Sequence, residues 1–408
     1  MGQLIIRCGN TDNLVVERLI APAAAPQLRW TRPPITQIVM DAQVVERRPT
    51  VADAANDAGI PFLVDPCTPL LQSEVDPDYG WSKLPFATAG ATKPTDLDLD
   101  KLVELSVQFQ LEHGATAVIA PYLYATGAVD PGFAASVRLL EKTAEYLDAN
   151  HLRLPLVAVL CGQLQGLDRP SETGGAMEHF LRVAGGLEVR SAALCLSPLG
   201  STKDNYPKMA RLFRSARRAL ATSEIPLIAW RQGVYGPALV AAGFDGYETG
   251  IGTGEQTNIA TYQQSRKPKK PDAKRGGGGG GGVYLEPLGR SVDSKVAAVL
   301  MGTPTMRAKV MCEDEGCCPS VASTLDDPRP HAVRSRARLL TELTDQPHAR
   351  WRLHHLAQQA TAAVTLTRQA DRLLADEGLT QRLGTPHYEA FAQVLGELVA
   401  AAGESRSA

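Results

Sequence analysis

Eight short, nearly continuous apolar runs punctuate the first 290 residues, and they limit the chain to very few folds. They are "ITQIVMDA" (35–42), "GIPFLVDP" (59–66), "ATAVIAPY" (115–122), "LPLVAVLC" (154–161), "SAALCLSP" (191–198), "IPLIAWRQ" (225–232), "FDGYETGI" (244–251) and "GGVYLEPL" (281–288). A strand buried on both faces needs apolar residues throughout, so such runs fit a parallel sheet covered by helices. Between them lie segments of helical periodicity, such as "DLDKLVELSVQFQLEHG", "GFAASVRLLEKTAEYLDAN" and "YPKMARLFRSARRALATS". Strand–helix alternation repeated eight times predicts an α/β chain folded as a (β/α)8 TIM barrel. The rival is a doubly wound open sheet, weakened because no Gly-x-Gly-x-x-Gly follows an early strand.

This predicts three parts. Residues 1–34 form an N-terminal hairpin and lead-in, with "QLIIRC" and "NLVVERLI" flanking "GNTDN". Residues 35–306 form the barrel, with a basic and polyglycine insertion at 263–282. Residues 307–408 form a cysteine-rich, zinc-binding knuckle and a helical tail. The insertion "SRKPKKPDAKRGGGGGGGV" places six basic residues between Arg266 and Arg275. Lying after a strand, it is expected over the catalytic face, either as a solvated loop or as an arm that reaches phosphates.

A formal charge of −2 argues against a uniformly basic surface, so any nucleic-acid contact must be local. No run of about 18 apolar residues predicts a membrane span. The start "MGQLIIRCGN" lacks the pattern of a signal peptide, and seven cysteines is an odd number. Together these predict a cytoplasmic chain without a disulfide framework.

In a barrel, chemistry sits where strands end. The candidates are Asp41, Asp65, Cys161, Ser197, Arg231, Glu248 and Glu286. Asp65 and Glu248 are a potential working pair: one carboxylate attacks or stabilises positive charge while the other moves a proton. Alternatively, Asp65-Pro66 ends a strand, and Glu248 pairs with Arg231. Cys67 and Cys161 are possible nucleophiles, although no histidine accompanies them.

"RAKVMCEDEGCCPS" (307–320) brings Cys312, Cys317 and Cys318 within seven residues. Thiolates with an imidazole make a tetrahedral zinc site. The fourth ligand is open among His331, His348, His354, His355 and Asp314. Core thiols or a redox pair are the alternatives.

A barrel followed by a cysteine knuckle and a ligand-bearing helix resembles the tRNA-guanine transglycosylases, including the queuine, archaeosine and DNA deazaguanine enzymes. "CEDEGC" keeps that family's outer cysteine spacing, with Asp314 where the middle cysteine stands. "WRLHHLAQQATAAVTLTRQADRL" resembles its zinc-ligand helix, which implies His355 as the fourth ligand beside Cys312, Cys317 and Cys318. "PFLVDPCTPLLQ" resembles the segment carrying an active-site aspartate, here Asp65. "LVAAGFDGYETGIG" resembles the segment whose last acid is the nucleophile, here Glu248, with Asp245 three residues earlier. The base-recognition positions appear as Cys161-Gly162 and Pro121-Tyr122. The resemblance implies Zn2+, a free nucleobase, and tRNA or DNA as partners. It also implies exchange of a guanine-type base, with Glu248 attacking and Asp65 recognising the base or moving its proton. Tyr122, Cys161, Ser197, Arg231 and Asp245 are the expected substrate contacts. Arg329, Arg334, Arg336, Arg338, Arg350 and Arg352 are expected to meet phosphates. The competing expectations are a non-catalytic nucleic-acid or partner-binding subunit, homo-oligomeric or heteromeric, and an unrelated small-molecule barrel enzyme.

Overall fold

In the computed structural model of the chain the described residues are 2–21, 35–88, 90–168, 175–252, 255–268, 282–314 and 316–404. Among the described residues eleven strands are formed: β1 Gln3–Arg7, β2 Gln37–Asp41, β3 Phe62–Asp65, β4 Val118–Ile119, β5 Tyr124–Ala125, β6 Leu156–Gln163, β7 Ser191–Ser197, β8 Leu227–Ala229, β9 Gly246–Gly250, β10 Val283–Leu285 and β11 Arg290–Val292. Eight of them line up as β3-β2-β1-β9-β8-β7-β6-β4, every neighbouring pair being parallel, and β5 extends β4 along β6. The ends of this row approach each other through Thr116, whose N–H donates to the Phe62 carbonyl at 2.8 Å. The result is a nearly closed, eight-stranded parallel barrel with helices between its strands.

The strand set differs from the sequence expectation at both ends. "QLIIR" is no hairpin arm. It is the first barrel strand, paired with β2 on one side and β9 on the other, and "NLVVERLI" is the helix Asn13–Ile20. The β1–β9 seam requires close backbone approach: a Cβ on Gly246 would lie 2.7 Å from the Gln3 carbonyl oxygen. The eighth apolar run lies outside the barrel. Its strand β10 turns back through Glu286–Leu288 and Gly289, at φ 62°, to pair antiparallel with β11. Seven predicted strands are therefore barrel strands, and the eighth is supplied by the N-terminus.

Period-two alternation sends Ile5, Val39, Leu63, Ile119, Val159, Ala193 and Ile228 into the barrel's interior core. The opposite set, including Leu4, Ile6, Ile38, Met40 and Leu194, packs outward against the helices. The helix Arg329–Asp345 contacts β1 and the helix Gly236–Ala242, so it occupies the outer-ring position expected after the last strand. Its Val333, Leu340 and Leu343, with Leu353 and Leu395 of later helices, belong to the same core as the barrel wall. The tail is therefore part of the barrel's packing, contrary to a boundary at residue 307. A second apolar cluster gathers β10, β11, the helices Ser294–Gly302 and Pro304–Val310, and the far half of Ala349–Asp376. Residues 269–281 of the basic and polyglycine segment lie outside the described residues. Among the described residues no helix is long and apolar enough to cross a membrane.

One packing choice makes stability depend on pH. His387 is 1% exposed between the Tyr235 and Phe391 rings, and its Nδ1 has no partner among the described residues. Burial, helped by the Arg290 charge, pushes its pKa down to about 4. Between pH 6.5 and 4 the unfolded chain therefore binds the proton that the folded chain refuses. Stability should fall as pH falls through that window, by up to about 1.4 kcal/mol per pH unit from this group. Urea unfolding at several pH values is expected to show a shallower slope for His387→Gln; an unchanged slope would contradict the assignment.

Candidate functional site

The strand register explains how residues distant in sequence meet. Arg7, Asp41, Asp65 and Glu248 share the inward parity of their strands, and Arg231 follows the end of β8. They form one ionic cluster in the barrel mouth. Arg7 lies flat against Glu248, with Nε–Oε1 at 3.0 Å and Nη2–Oε2 at 3.1 Å. The same guanidinium reaches Asp65 Oδ2 at 2.9 Å and bonds Asp41 through Nη1. Arg231 Nη2 bridges Asp41 and Asp65, each at 3.2 Å. Tyr122 donates its hydroxyl to Asp65, 2.9 Å from Oδ1, and the Cys67 N–H donates to that oxygen at 2.9 Å. Three carboxylates thus face two guanidiniums, and each acid is held by several charge-assisted bonds.

The three carboxylates differ in what remains free. Glu248 is fully buried; its oxygens accept from Arg7 twice and from the Arg231 N–H at 2.9 Å. Asp65 is fully buried beneath Tyr122, Cys67 and both arginines. Asp41 is 14% exposed; among the described residues its Oδ2 is met by Gln43 Nε2 at 3.3 Å and Tyr262 Oη at 3.5 Å, and the Cys67 thiol also bonds the carboxyl. Burial opposes its ionisation, but Arg7 and Arg231 outweigh burial and hold its carboxyl well below the ordinary range. Asp41 is therefore held ionised, and of the three acids it alone has side-chain exposure at the opening.

Aromatic residues cover that opening. Tyr262 lies against the Arg231 guanidinium at 5.4 Å, and Arg266 sits over both Tyr262 and Tyr79, at 5.1 and 4.7 Å. Gln43 ties Tyr79 to Asp41, with its Nε2 3.0 Å from the tyrosine oxygen. Two non-glycine residues at the rim, Cys67 at φ 52° and Arg231 at φ 56°, adopt the left-handed conformation. Such residues cost of order 1 kcal/mol each, and such strain concentrates at functional sites. At Arg231 this conformation turns the backbone N–H to Glu248 and the guanidinium to Asp41.

The remaining expected contacts divide. Cys161 is buried inside the barrel opposite Cys195, and burial raises its thiol, as it does that of Cys67. Neither is a poised nucleophile. Ser197 is spent on the Ile259 N–H at 3.0 Å. Asp245 lies at the opposite end of the barrel, where it caps the Leu227 N–H at 2.9 Å, and takes no part in the mouth. Glu286 pairs with Arg338 in the tail. Arg7 escaped the sequence reading because its segment was placed outside the barrel; the apolar "LII" before it was the available signal.

Asp41, Asp65 and Cys67 lie within 4.8 Å of one another and could in principle hold a cation. Two guanidiniums already neutralise them, and burial, Asp41 and Asp65 keep the thiol protonated, so a cation would have to displace an arginine.

A second cluster is better suited to an ion. The sulfurs of Cys312, Cys317 and Cys318 and a nitrogen of His331 all lie within 4.8 Å of one another. His331 Nδ1 is 3.1 Å from Cys318 Sγ and 3.5 Å from Cys317 Sγ, while its Nε2 meets the Tyr284 carbonyl at 3.1 Å. That second bond fixes the ring with Nδ1 towards the sulfurs, the arrangement metal-bound histidines use. The cluster can therefore bind a metal. His331 takes the place expected of His355, which stands outside on its helix 3.9 Å from Glu342. The reason is positional: His331 is in the first turn of Arg329–Asp345, separated from the cysteine loop by the short helix Val321–Asp326, whereas His355 lies a further long helix away. The tail arginines are also largely committed. Arg336 is buried against Glu255 and the Tyr284 ring, Arg338 holds Glu286, Arg334 meets the Gly316 carbonyl at 3.2 Å, and Arg329 meets Thr11 and Asp327. Comparison of the chain with protein-family models and with curated proteins found no match.

Proposed function

We propose that the chain is a nucleobase-exchange enzyme of the transglycosylase type, acting on a guanine-type base in tRNA or DNA, with Asp41 as the reacting carboxylate. The observation carrying this reading is the difference among the three mouth acids. Asp41 alone of the three has side-chain exposure, 14%, while Glu248 and Asp65 are fully buried and saturated by donors. An anion beside the anomeric carbon suits an oxocarbenium-like transition state. In this reading the Asp41 carboxylate bonds to the anomeric carbon as the glycosidic bond breaks, and the bonding pair leaves with the base. The incoming base then displaces Asp41 in a second inversion. The proton taken up by the departing base is matched by the one its replacement gives up. Glu248 and Asp65 serve as positioning residues that aim Arg7 and Arg231.

The cysteine–histidine cluster supports zinc as the metal. A tetrahedral ion with bonds of about 2.3 Å to sulfur needs sulfurs about 3.8 Å apart. Cys317 and Cys318 are 3.8 Å apart. Cys312, Cys317, Cys318 and His331 would hold the ion, and its chemistry there is structural, joining the cysteine loop to the helix that closes the outer ring.

Incorporation of labelled guanine and deazaguanine into tRNA and DNA tests the reading. Wild type is expected to exchange base, and Asp41→Asn to lose activity by about 100-fold or more, with its fold intact by circular dichroism. Full activity in Asp41→Asn removes the assignment. A protein that binds nucleic acid but never exchanges base is instead the non-catalytic subunit, a reading favoured by the saturation of Glu248 and Asp65.

A further inference from the structure

The helix Tyr206–Thr222 carries five positive charges, Lys208, Arg211, Arg214, Arg217 and Arg218, and no acid, in a chain whose net charge is −2. Its inner face is apolar, with Met209, Leu212, Phe213 and Ala216 buried. Arg211 and Arg218 turn sideways to Asp168 and Glu178 on the neighbouring segment. Arg214 and Arg217 are exposed, and they form no side-chain hydrogen bond or ion pair among the described residues. The helix packs on Ala176–Gly186, which packs on Pro131–Ala149. These two helices add exposed Arg182 and Arg138, the latter only loosely paired with Glu141 at 3.7 Å. Between them opens a cleft of about 690 Å³ lined by Phe133, Val137, His179, Arg138 and Arg182, with one carboxylate, Glu141, beside Arg138.

We propose that this outer wall is the polynucleotide-binding surface, with Arg138, Arg182, Arg214 and Arg217 contacting successive phosphates. Three arguments favour a phosphodiester chain. The cations are arginines, whose planar fork fits phosphate oxygens. Among the described residues they have no strong internal partner, unlike Arg329, Arg334, Arg336 and Arg338 of the tail. The cleft is lined by the N-terminal halves of two barrel helices, which begin at the end where the strands finish, the end that carries Asp41. This inference rests on the reading that the substrate is a nucleic acid, but binding tests it without any chemistry.

The experiment is fluorescence anisotropy of the full chain with labelled RNA hairpin, single-stranded DNA and duplex DNA, with phosphatidylserine vesicles as the competing anionic surface. Four phosphate contacts predict a salt slope of about −2.8 to −3.6, a loss of about 50- to 150-fold in affinity between 50 and 200 mM salt. Arg214→Glu combined with Arg217→Glu should weaken binding at least about tenfold and roughly halve the slope, and Arg138→Glu with Arg182→Glu should do likewise. Arg372→Glu, exposed on another helix, should change affinity less than about twofold. The better-bound arm identifies RNA or DNA. Wild-type affinity in both double variants, absence of nucleic-acid binding, or binding to vesicles alone overturns the proposal. Binding that follows the expected pattern without base exchange supports this surface and removes only the chemistry.

Discussion

Replacing Arg7 with methionine should be the most damaging single change in the barrel, lowering the unfolding free energy by about 3–5 kcal/mol. Arg7 is the common partner of Asp41, Asp65 and Glu248, two of them fully buried. Methionine fills similar space but leaves three carboxylates facing Arg231 alone. Arg7→Lys keeps a charge but loses the flat two-point contact with Glu248, and should fall between wild type and Arg7→Met. The effect has a pH signature. Asp41 has a depressed folded pKa, so its contribution is present above the ordinary carboxylate range and is lost as pH falls through the folded value. In Arg7→Met the carboxylates lack their counter-charge and take up protons more readily. The gap between variant and wild type should therefore narrow on acidification from pH 7.5 to 5. Urea denaturation at both pH values measures this, and a variant within about 1 kcal/mol of wild type at pH 7.5 would show that the cluster is not held by Arg7.

Metal removal is expected to have the other large effect. The cluster joins the cysteine loop, the Tyr284 carbonyl and the first turn of Arg329–Asp345, and that helix buries Val333, Leu340 and Leu343 against the barrel wall. A bound ion is therefore coupled to closure of the outer ring. Purified protein should contain about one zinc per chain. Chelation, or His331→Ala, should cost about 3–5 kcal/mol and lower the melting temperature by roughly 5–10 °C. His355→Ala should keep both metal and stability. Loss of zinc from the His355 variant but not the His331 variant would reverse the ligand assignment.

The architecture was legible because buried parallel strands leave continuous apolar runs, and seven of those runs became barrel strands. The two errors have one cause. An apolar run reports burial and not its partner. "QLIIR" and "VYL" look alike in this respect, yet the first is clasped between β2 and β9 while the second turns back at Gly289. The mouth was legible in part for the same reason. Asp65 ends β3, Arg231 and Tyr122 lie just past β8 and β4, and Glu248 turns inward from the middle of β9, so all four converge, whereas Asp245 precedes its strand and falls at the far end. What sequence could not rank was accessibility. Glu248 and Asp41 are both inward-facing acids of barrel strands, and only the two-point contact of Arg7 and the Arg231 N–H show which is saturated. The metal histidine depended on which helix returns to the cysteine loop, which spacing alone left open.

The most direct test is to find the residue that becomes covalently attached during turnover. Protein quenched in denaturant while reacting with tRNA or DNA, digested and analysed by mass spectrometry, should carry a sugar-linked fragment on the peptide containing Asp41, and none when Asp41→Asn is used. A fragment on the peptide containing Glu248 instead would contradict the assignment of the partly exposed acid as the one that reacts.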